Sequence, residues 1–354
     1  MHPHTQAAVD LLRRLIATPS VSREETAVAD IVVQYLQQHG CEPRRHGNNV
    51  WAMSPRFDAS RPAILLNAHL DTVKPVSGWQ RNPFEPLLEG DRLYGLGSND
   101  CGGGLVSLLH TFLTLSSSNL IFLASAEEEV SGKGGIESVL PLLPHVGFAI
   151  VGEPTGMQPA IAEKGLMVVD AVARGKAGHA ARDEGVNAIY VAMDDVAQLA
   201  CRPDAASASP LFPKVSPLLG AVRTTVTVIA AGTQHNVVPD EGRFTIDVRS
   251  NELYSNEQIF NILQQHLKSE LHARSFRLSS SSIPDTHPFV RRCVAHGLTP
   301  FGSPTLSDQA LMPFPSLKLG PGQSARSHTA DEFICISEID HALSLYQQLL
   351  SEEG

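Results

Sequence analysis

The chain has 354 residues, 42% of them hydrophobic, which is ample for a large buried core in one big domain or two modest ones. With 27 Lys and Arg against 37 Asp and Glu its formal charge is -10, so it carries no basic field for nucleic acid or an anionic membrane. Five scattered cysteines (Cys41, Cys101, Cys201, Cys293 and Cys335) make neither a disulfide framework nor a Cys-x-x-Cys thiolate site, which points to a reducing compartment.

At the amino terminus Val9, Leu12, Leu15 and Ile16 recur at helical spacing around Asp10, Arg13 and Arg14, which is no secretion signal. No apolar run approaches the ~20 residues that span a bilayer. The expectation is a cytoplasmic protein with no membrane partner.

In chain order, residues 63–68 (Ala-Ile-Leu-Leu-Asn-Ala) read as a buried strand that ends at His69-Leu70-Asp71. Asp100 follows Tyr94-Gly95-Leu96-Gly97-Ser98-Asn99 and precedes Cys101-Gly102-Gly103-Gly104, with Leu105, Val106, Leu108, Leu109 and Phe112 behind it at helical spacing. Residues 119–126 form a second strand, ending at Glu127-Glu128-Glu129, and residues 148–152 a third, ending at Glu153-Pro154-Thr155. A fourth, residues 316–320, leads through a Gly-Pro-Gly turn to His328. Short apolar strands alternating with helices predict an α/β fold, a mixed and mostly parallel sheet flanked by helices. In such sheets ligands collect beyond the carboxyl ends of the strands, so four strand exits bearing His, Asp or Glu predict one shared site.

Residues 163–273 break this pattern and read as an inserted α+β domain, leaving 1–162 and 274–354 as the domain that carries the site. Within the insert, 166–174, 224–230 and 243–249 alternate as strands, 187–199 and 256–267 read as helices, and the Ser/Ala/Pro-rich stretch 203–217 reads as a mobile loop.

Each motif alone has a plain structural reading. His69 could be a strand-exit histidine bonded to a neighbouring acid; as a metal ligand it needs a partner for its other N–H, which Asp71 could supply, unless Asp71 instead braces a catalytic base. Asp100 could cap the helix behind it. A dinucleotide-binding loop is excluded there, because Asp100 stands where the third glycine belongs and would meet pyrophosphate. Three consecutive carboxylates at Glu127–Glu129 repel one another unless the loop is solvated or cations lie near, in which case one Glu can ligate while its neighbour moves a proton. Together with Glu153 and His328 these make two His and three carboxylates, a sulfur-free donor set suited to zinc, cobalt or manganese hydrolysis and not to redox chemistry.

These motifs, in this order and over nearly the whole chain, resemble the co-catalytic zinc aminoacylases and carboxypeptidases, the family that includes acetylornithine deacetylase, succinyl-diaminopimelate desuccinylase and the glutamate carboxypeptidases. The resemblance implies a zinc exopeptidase-like fold with two Zn2+, for which Co2+ or Mn2+ may substitute. It implies that Asp100 bridges the two ions, with His69 and Glu153 on one and Glu129 and His328 on the other, Glu128 as general base and Asp71 supporting catalysis. It further implies that the insert is a lid and homodimerisation domain, in which His179 of Gly175-Lys176-Ala177-Gly178-His179-Ala180-Ala181 stabilises an oxyanion while Asn236 and Arg249 contact substrate. A surface histidine and a strand-end salt bridge are the plain alternatives for His179 and Arg249. Cys101-Gly102-Gly103 departs from the family's usual Lys after the bridging Asp.

The expected reaction is hydrolysis of the amide of a small N-acyl amino acid. N-acetylornithine or N-succinylornithine in arginine biosynthesis comes first; succinyl-diaminopimelate, acetyl-lysine and di- or tripeptides are the alternatives. A Ser-His-Asp hydrolase is disfavoured because no Gly-x-Ser-x-Gly elbow occurs. A metal-dependent binding protein without turnover is the non-enzymatic rival.

Overall fold

The computed structural model describes residues 2–115, 119–182, 184–201 and 207–351. They divide into two units: Met1–Ile161 with Ile283–Phe301 and Ser307–Gly354, and Ala162–Ser282 with Gly302–Leu306.

In the first unit the strands Leu120–Ser125, Ala63–His69, Val146–Val151 and Ser316–Lys318 lie side by side in that order, all parallel. Asn49–Met53 adds an antiparallel strand beside Leu120–Ser125. Ala63–His69 and Leu120–Ser125 are buried along their full length, which is why they read as unbroken apolar runs rather than alternating ones. Their side chains still divide by the two-residue period. Leu66, Ala68, Phe122 and Ala124 join the core under the helices Thr5–Ile16, Thr26–Gln38, Gly103–Thr114 and Ile336–Ser351, whereas Leu65, Ile121 and Leu123 join Ile136 and Val139 on the opposite face. Because the four central strands point the same way, their carboxyl ends share one edge.

The second unit is an antiparallel sheet ordered Arg223–Ala231, Glu241–Ser250, Gly165–Arg174, Glu270–Ala273. Met167, Val169, Ala171 and Ala173 alternate inward along one strand and pack with Ala192, Leu199, Ile259 and Leu263 of the helices Ala188–Ala200 and Asn256–His266. A reciprocal cap between Ser255 and Gln258 starts the second helix. The stretch 203–217, expected to be mobile, is pinned within its described part by Phe212, which is fully buried against Tyr254. Residues 203–206 lie outside the described residues. No helix among the described residues is long and apolar enough to cross a membrane.

Candidate metal centre

His69 is the last residue of its strand, Glu127–Glu129 follow Ser125, and Glu153 follows Val151, so three parallel strands deliver donors to one edge. Asp100 lies in the turn Ser98–Gly102 in extended conformation, three residues ahead of the helix Gly103–Thr114, and makes no cap to it. The helix-cap reading of Asp100 is therefore replaced by another use of its carboxylate. Oδ1 lies 3.2 Å from His69 Nε2 and Oδ2 lies 3.5 Å from His328 Nε2. Each imidazole has a second carboxylate beside it: Glu153 Oε1 is 3.8 Å from His69 Nε2, and Glu129 Oε2 is 2.9 Å from His328 Nε2. One aspartate thus spans two His–Glu pairs.

Asp71 contacts both His69 and the Glu127–Glu129 turn, through different atoms. Its backbone carbonyl accepts from His69 Nδ1 at 2.8 Å, so in the neutral ring Nε2 is the lone-pair nitrogen, and it faces Asp100 and Glu153. Its carboxylate accepts the backbone N–H groups of Glu128 and Glu129 at 3.0 and 3.1 Å and the Ser22 hydroxyl at 2.7 Å. Glu127 turns away from the centre: its carboxylate packs on Gly132 and Gly134 so closely that a Cβ on Gly132 would fall 1.8 Å from Oε2. Arg23 lies 3.7 Å from it on the exposed side.

Three more buried carboxyls hold the loops in place. Glu332 accepts the N–H groups of Gly97, Asn99 and Asp100 at 3.0, 2.8 and 2.9 Å and so fixes the turn that presents Asp100. Glu25 accepts from the N–H groups of Arg23 and Glu127 at 2.6 and 3.2 Å. Asp308 accepts the Ser125 hydroxyl at 2.5 Å, at the end of the strand that leads to Glu127. In the sequence Glu332 stands four residues beyond His328, while Glu25 and Asp308 adjoin none of the motifs.

The electrostatics fit cations. Burial pushes the Glu128 carboxyl well above the usual range, with His69 opposing and Glu153, Asp308 and Glu129 adding to the rise. Burial, with Asp100 adding, raises Glu153 to about 8. The bond to Glu129 raises His328 to about 9. So many carboxylates out of water cannot all ionise without added positive charge. Glu153 Oε1 is shielded from solvent and has no hydrogen-bond partner among the described residues, an acceptor left open. His69, Asp100 and Glu129 can each offer one ligand atom within 4.8 Å of the others. The donors are oxygen and nitrogen, the chemistry of a hydrolytic zinc, cobalt or manganese site.

Of the residues in the second unit, His179 and Asn236 are brought together. Gly178–His179 pairs antiparallel with Val237–Val238, and the Ala180 N–H donates to the Asn236 carbonyl at 3.0 Å. His179 Nδ1 accepts from the Ala181 N–H at 3.1 Å. Arg249 sits on Glu241–Ser250, and Asp247 holds its guanidinium through bonds of 2.8 and 3.2 Å, so in this structure the strand-end salt bridge is formed.

Fold and donor set together define a metal-dependent amidohydrolase. Residues 65–352 match peptidase family M20/M25/M40, and the chain belongs to that family. It is 26% identical over 97% of its length to acetylornithine deacetylase of Proteus mirabilis, covering 95% of that protein. To succinyl-diaminopimelate desuccinylase of Corynebacterium glutamicum it is 27% identical, with 97% of this chain and 95% of the relative covered. Its fold is similar to that of the YxeP protein of Bacillus subtilis, a dinuclear metal-binding M20 peptidase, with a TM-score of 0.69, 17% identity, and coverage of 98% of this chain and 97% of that one.

Proposed function

We propose that the chain removes the acyl group from a small N-acyl amino acid, N-acetylornithine or N-succinylornithine first, as a step of arginine biosynthesis in the cytoplasm. Two Zn2+, replaceable by Co2+ or Mn2+, would be held by His69 and Glu153 on one side and Glu129 and His328 on the other, with Asp100 between them. The observation that carries this reading is the placement of the two Asp100 oxygens, each facing a different His–Glu pair. Cations held there would supply a Lewis acid for the amide carbonyl and would acidify the attacking water.

Glu128 takes the proton from that water and returns it to the leaving amine. Two features support Glu128 over its neighbours: Glu127 is folded onto Gly132 and Gly134, and Glu129 is engaged with His328. Asp71 fixes the base by gripping the N–H groups of Glu128 and Glu129. His179 donates to the developing oxyanion, and Asn236 and Arg249 orient the substrate, Arg249 by exchanging Asp247 for the α-carboxylate. The second unit acts as lid and dimerisation domain. Its edge strand Arg223–Ala231, with Val228 and Ile229 exposed by 60% and 56%, supports a homodimer, which size measurement in solution tests.

The test is hydrolysis by the zinc-loaded protein of a panel of N-acetyl and N-succinyl amino acids and dipeptides. Preference for an acyl-ornithine is expected. Preference for succinyl-diaminopimelate would install the second reading, favoured by the Corynebacterium glutamicum relative. Two equivalents of metal bound with no turnover on any member would leave a binding protein.

A further inference from the structure

A second group of imidazoles lies outside the carboxylate-rich centre. His110, on Gly103–Thr114, is 1% exposed, and its Nε2 is 3.0 Å from the Tyr35 hydroxyl. Its Nδ1 is shielded from solvent and has no hydrogen-bond partner among the described residues. A buried ring nitrogen without a partner is costly. The ring centre of His4 is 5.9 Å from that of His110, and the ring centre of His2 is 5.6 Å from that of His4.

The His2-Pro3-His4 turn is fastened to the body of the unit. The His2 backbone N–H and the Thr5 hydroxyl both donate to Asp340, at 2.5 and 2.6 Å. The Thr5 N–H donates to the His2 carbonyl at 3.1 Å, and the His4 N–H to His2 Nδ1 at 3.3 Å, which leaves Nε2 as the outward nitrogen of His2.

We propose that His2, His4 and His110 bind one late transition-metal dication, with Zn2+ as the probe, at a peripheral site separate from the catalytic centre. At a metal–nitrogen distance of about 2.1 Å, two imidazoles sharing an ion have ring centres about 5 to 6 Å apart, the spacing of His2 from His4 and of His4 from His110. His110 is the fixed ligand. If its Nε2–H donates to the Tyr35 oxygen, the Nδ1 lone pair is free, which is the arrangement of a metal-bound histidine whose far N–H is held by an oxygen. Burial keeps this imidazole neutral by lowering it to about 4, with His4, His39 and His2 adding to the effect, so no proton competes for it at neutral pH. His2 and His4 are half-buried, so an ion between them remains reachable from solvent. The Asp340 carboxylate offsets the positive end of the helix Thr5–Ile16.

The test uses full-length protein without a histidine tag, dialysed against about 1 µM free Zn2+, a level that retains micromolar or tighter sites. Wild type is expected to hold one equivalent more than His4→Ala and one more than His110→Phe, by mass spectrometry of the metal. The same difference persists in an Asp100→Ala background, so the result does not depend on the catalytic centre. Cu2+ placed in the Asp100→Ala protein shows imidazole-nitrogen hyperfine structure in its electron paramagnetic resonance spectrum, and His4→Ala removes it. His4→Ala leaves amide hydrolysis unchanged. Equal zinc content in wild type and His4→Ala overturns the site, as does a copper spectrum that His4→Ala does not alter.

Discussion

Gly104→Ala sets two rules against each other. Gly104 lies inside the helix Gly103–Thr114, where helix propensity alone favours Ala over Gly by about 1 kcal/mol. In this fold, however, a Cβ on Gly104 would fall 1.7 Å from the backbone oxygen of Gly152, where ordinary contact begins at 3.4 Å. The obstruction is backbone on a strand end rather than a flexible side chain, and Gly152 is itself tied to Asn67 by a 2.8 Å bond. The helix behind Asp100 and the strand end before Glu153 must therefore separate. Overpacking of this kind costs roughly 3 kcal/mol, the upper part of its usual range, because backbone must move on both sides. Set against the propensity gain, the net loss is about 2 kcal/mol, or roughly 4–8 °C in melting temperature for a unit of this size. The separation also moves Asp100 away from Glu153, so zinc affinity falls at least about tenfold, a change of ~1.4 kcal/mol. Calorimetry in chelator reads the first effect and competitive zinc titration the second. A variant as stable as wild type, or more so, would show that the helix and the strand end do not approach as described.

Glu128→Gln is expected to bind both metals and lose about 10²–10⁴ in kcat, and wild-type turnover in the metal-loaded variant would remove Glu128 as the base. Prolonged chelation is expected to abolish hydrolysis, with Zn2+, Co2+ or Mn2+ restoring it; activity that survives in verified metal-free protein would refute the donor assignment. In chelator, stability is expected to depend on His110. Its folded-state value of about 4 lies below the ordinary 6.5, so between these pH values the unfolded chain binds a proton that the folded chain refuses. Unfolding free energy should be full above pH 6.5 and decline as pH falls toward 4, by roughly 3 kcal/mol in all. His110→Phe should flatten that part of the curve, and an unchanged curve would show that the imidazole is not the source.

What could be read in the sequence divides by the kind of partner each residue has. Strands 63–69 and 120–125 were legible because both their faces are buried and the apolar runs are unbroken, and the candidates His69, Glu127–Glu129 and Glu153 stood out because they lie at strand exits, whereas the choice of Glu129 among the three glutamates came from the family resemblance. The Phe212 anchor was not, since a single aromatic in a Ser/Ala/Pro-rich stretch has no period to betray its burial. Glu332, Glu25 and Asp71 are a subtler case: each carboxylate accepts backbone N–H groups, and every residue except proline offers one, so no side-chain pattern marks the partner. These bonds nonetheless decide how the donors are presented. The chain places charged donors on Gly-rich or irregular loops, which cannot hold a position by packing, and fixes each loop with an acid from a distant segment: Glu332 for the Asp100 turn, Asp71 and Glu25 for the Glu127–Glu129 turn. Site precision here thus rests on long-range pairs of carboxylate and peptide N–H. Replacing one of those acids should therefore loosen metal binding without touching a ligand, an outcome that zinc titration of Glu332→Ala would read directly.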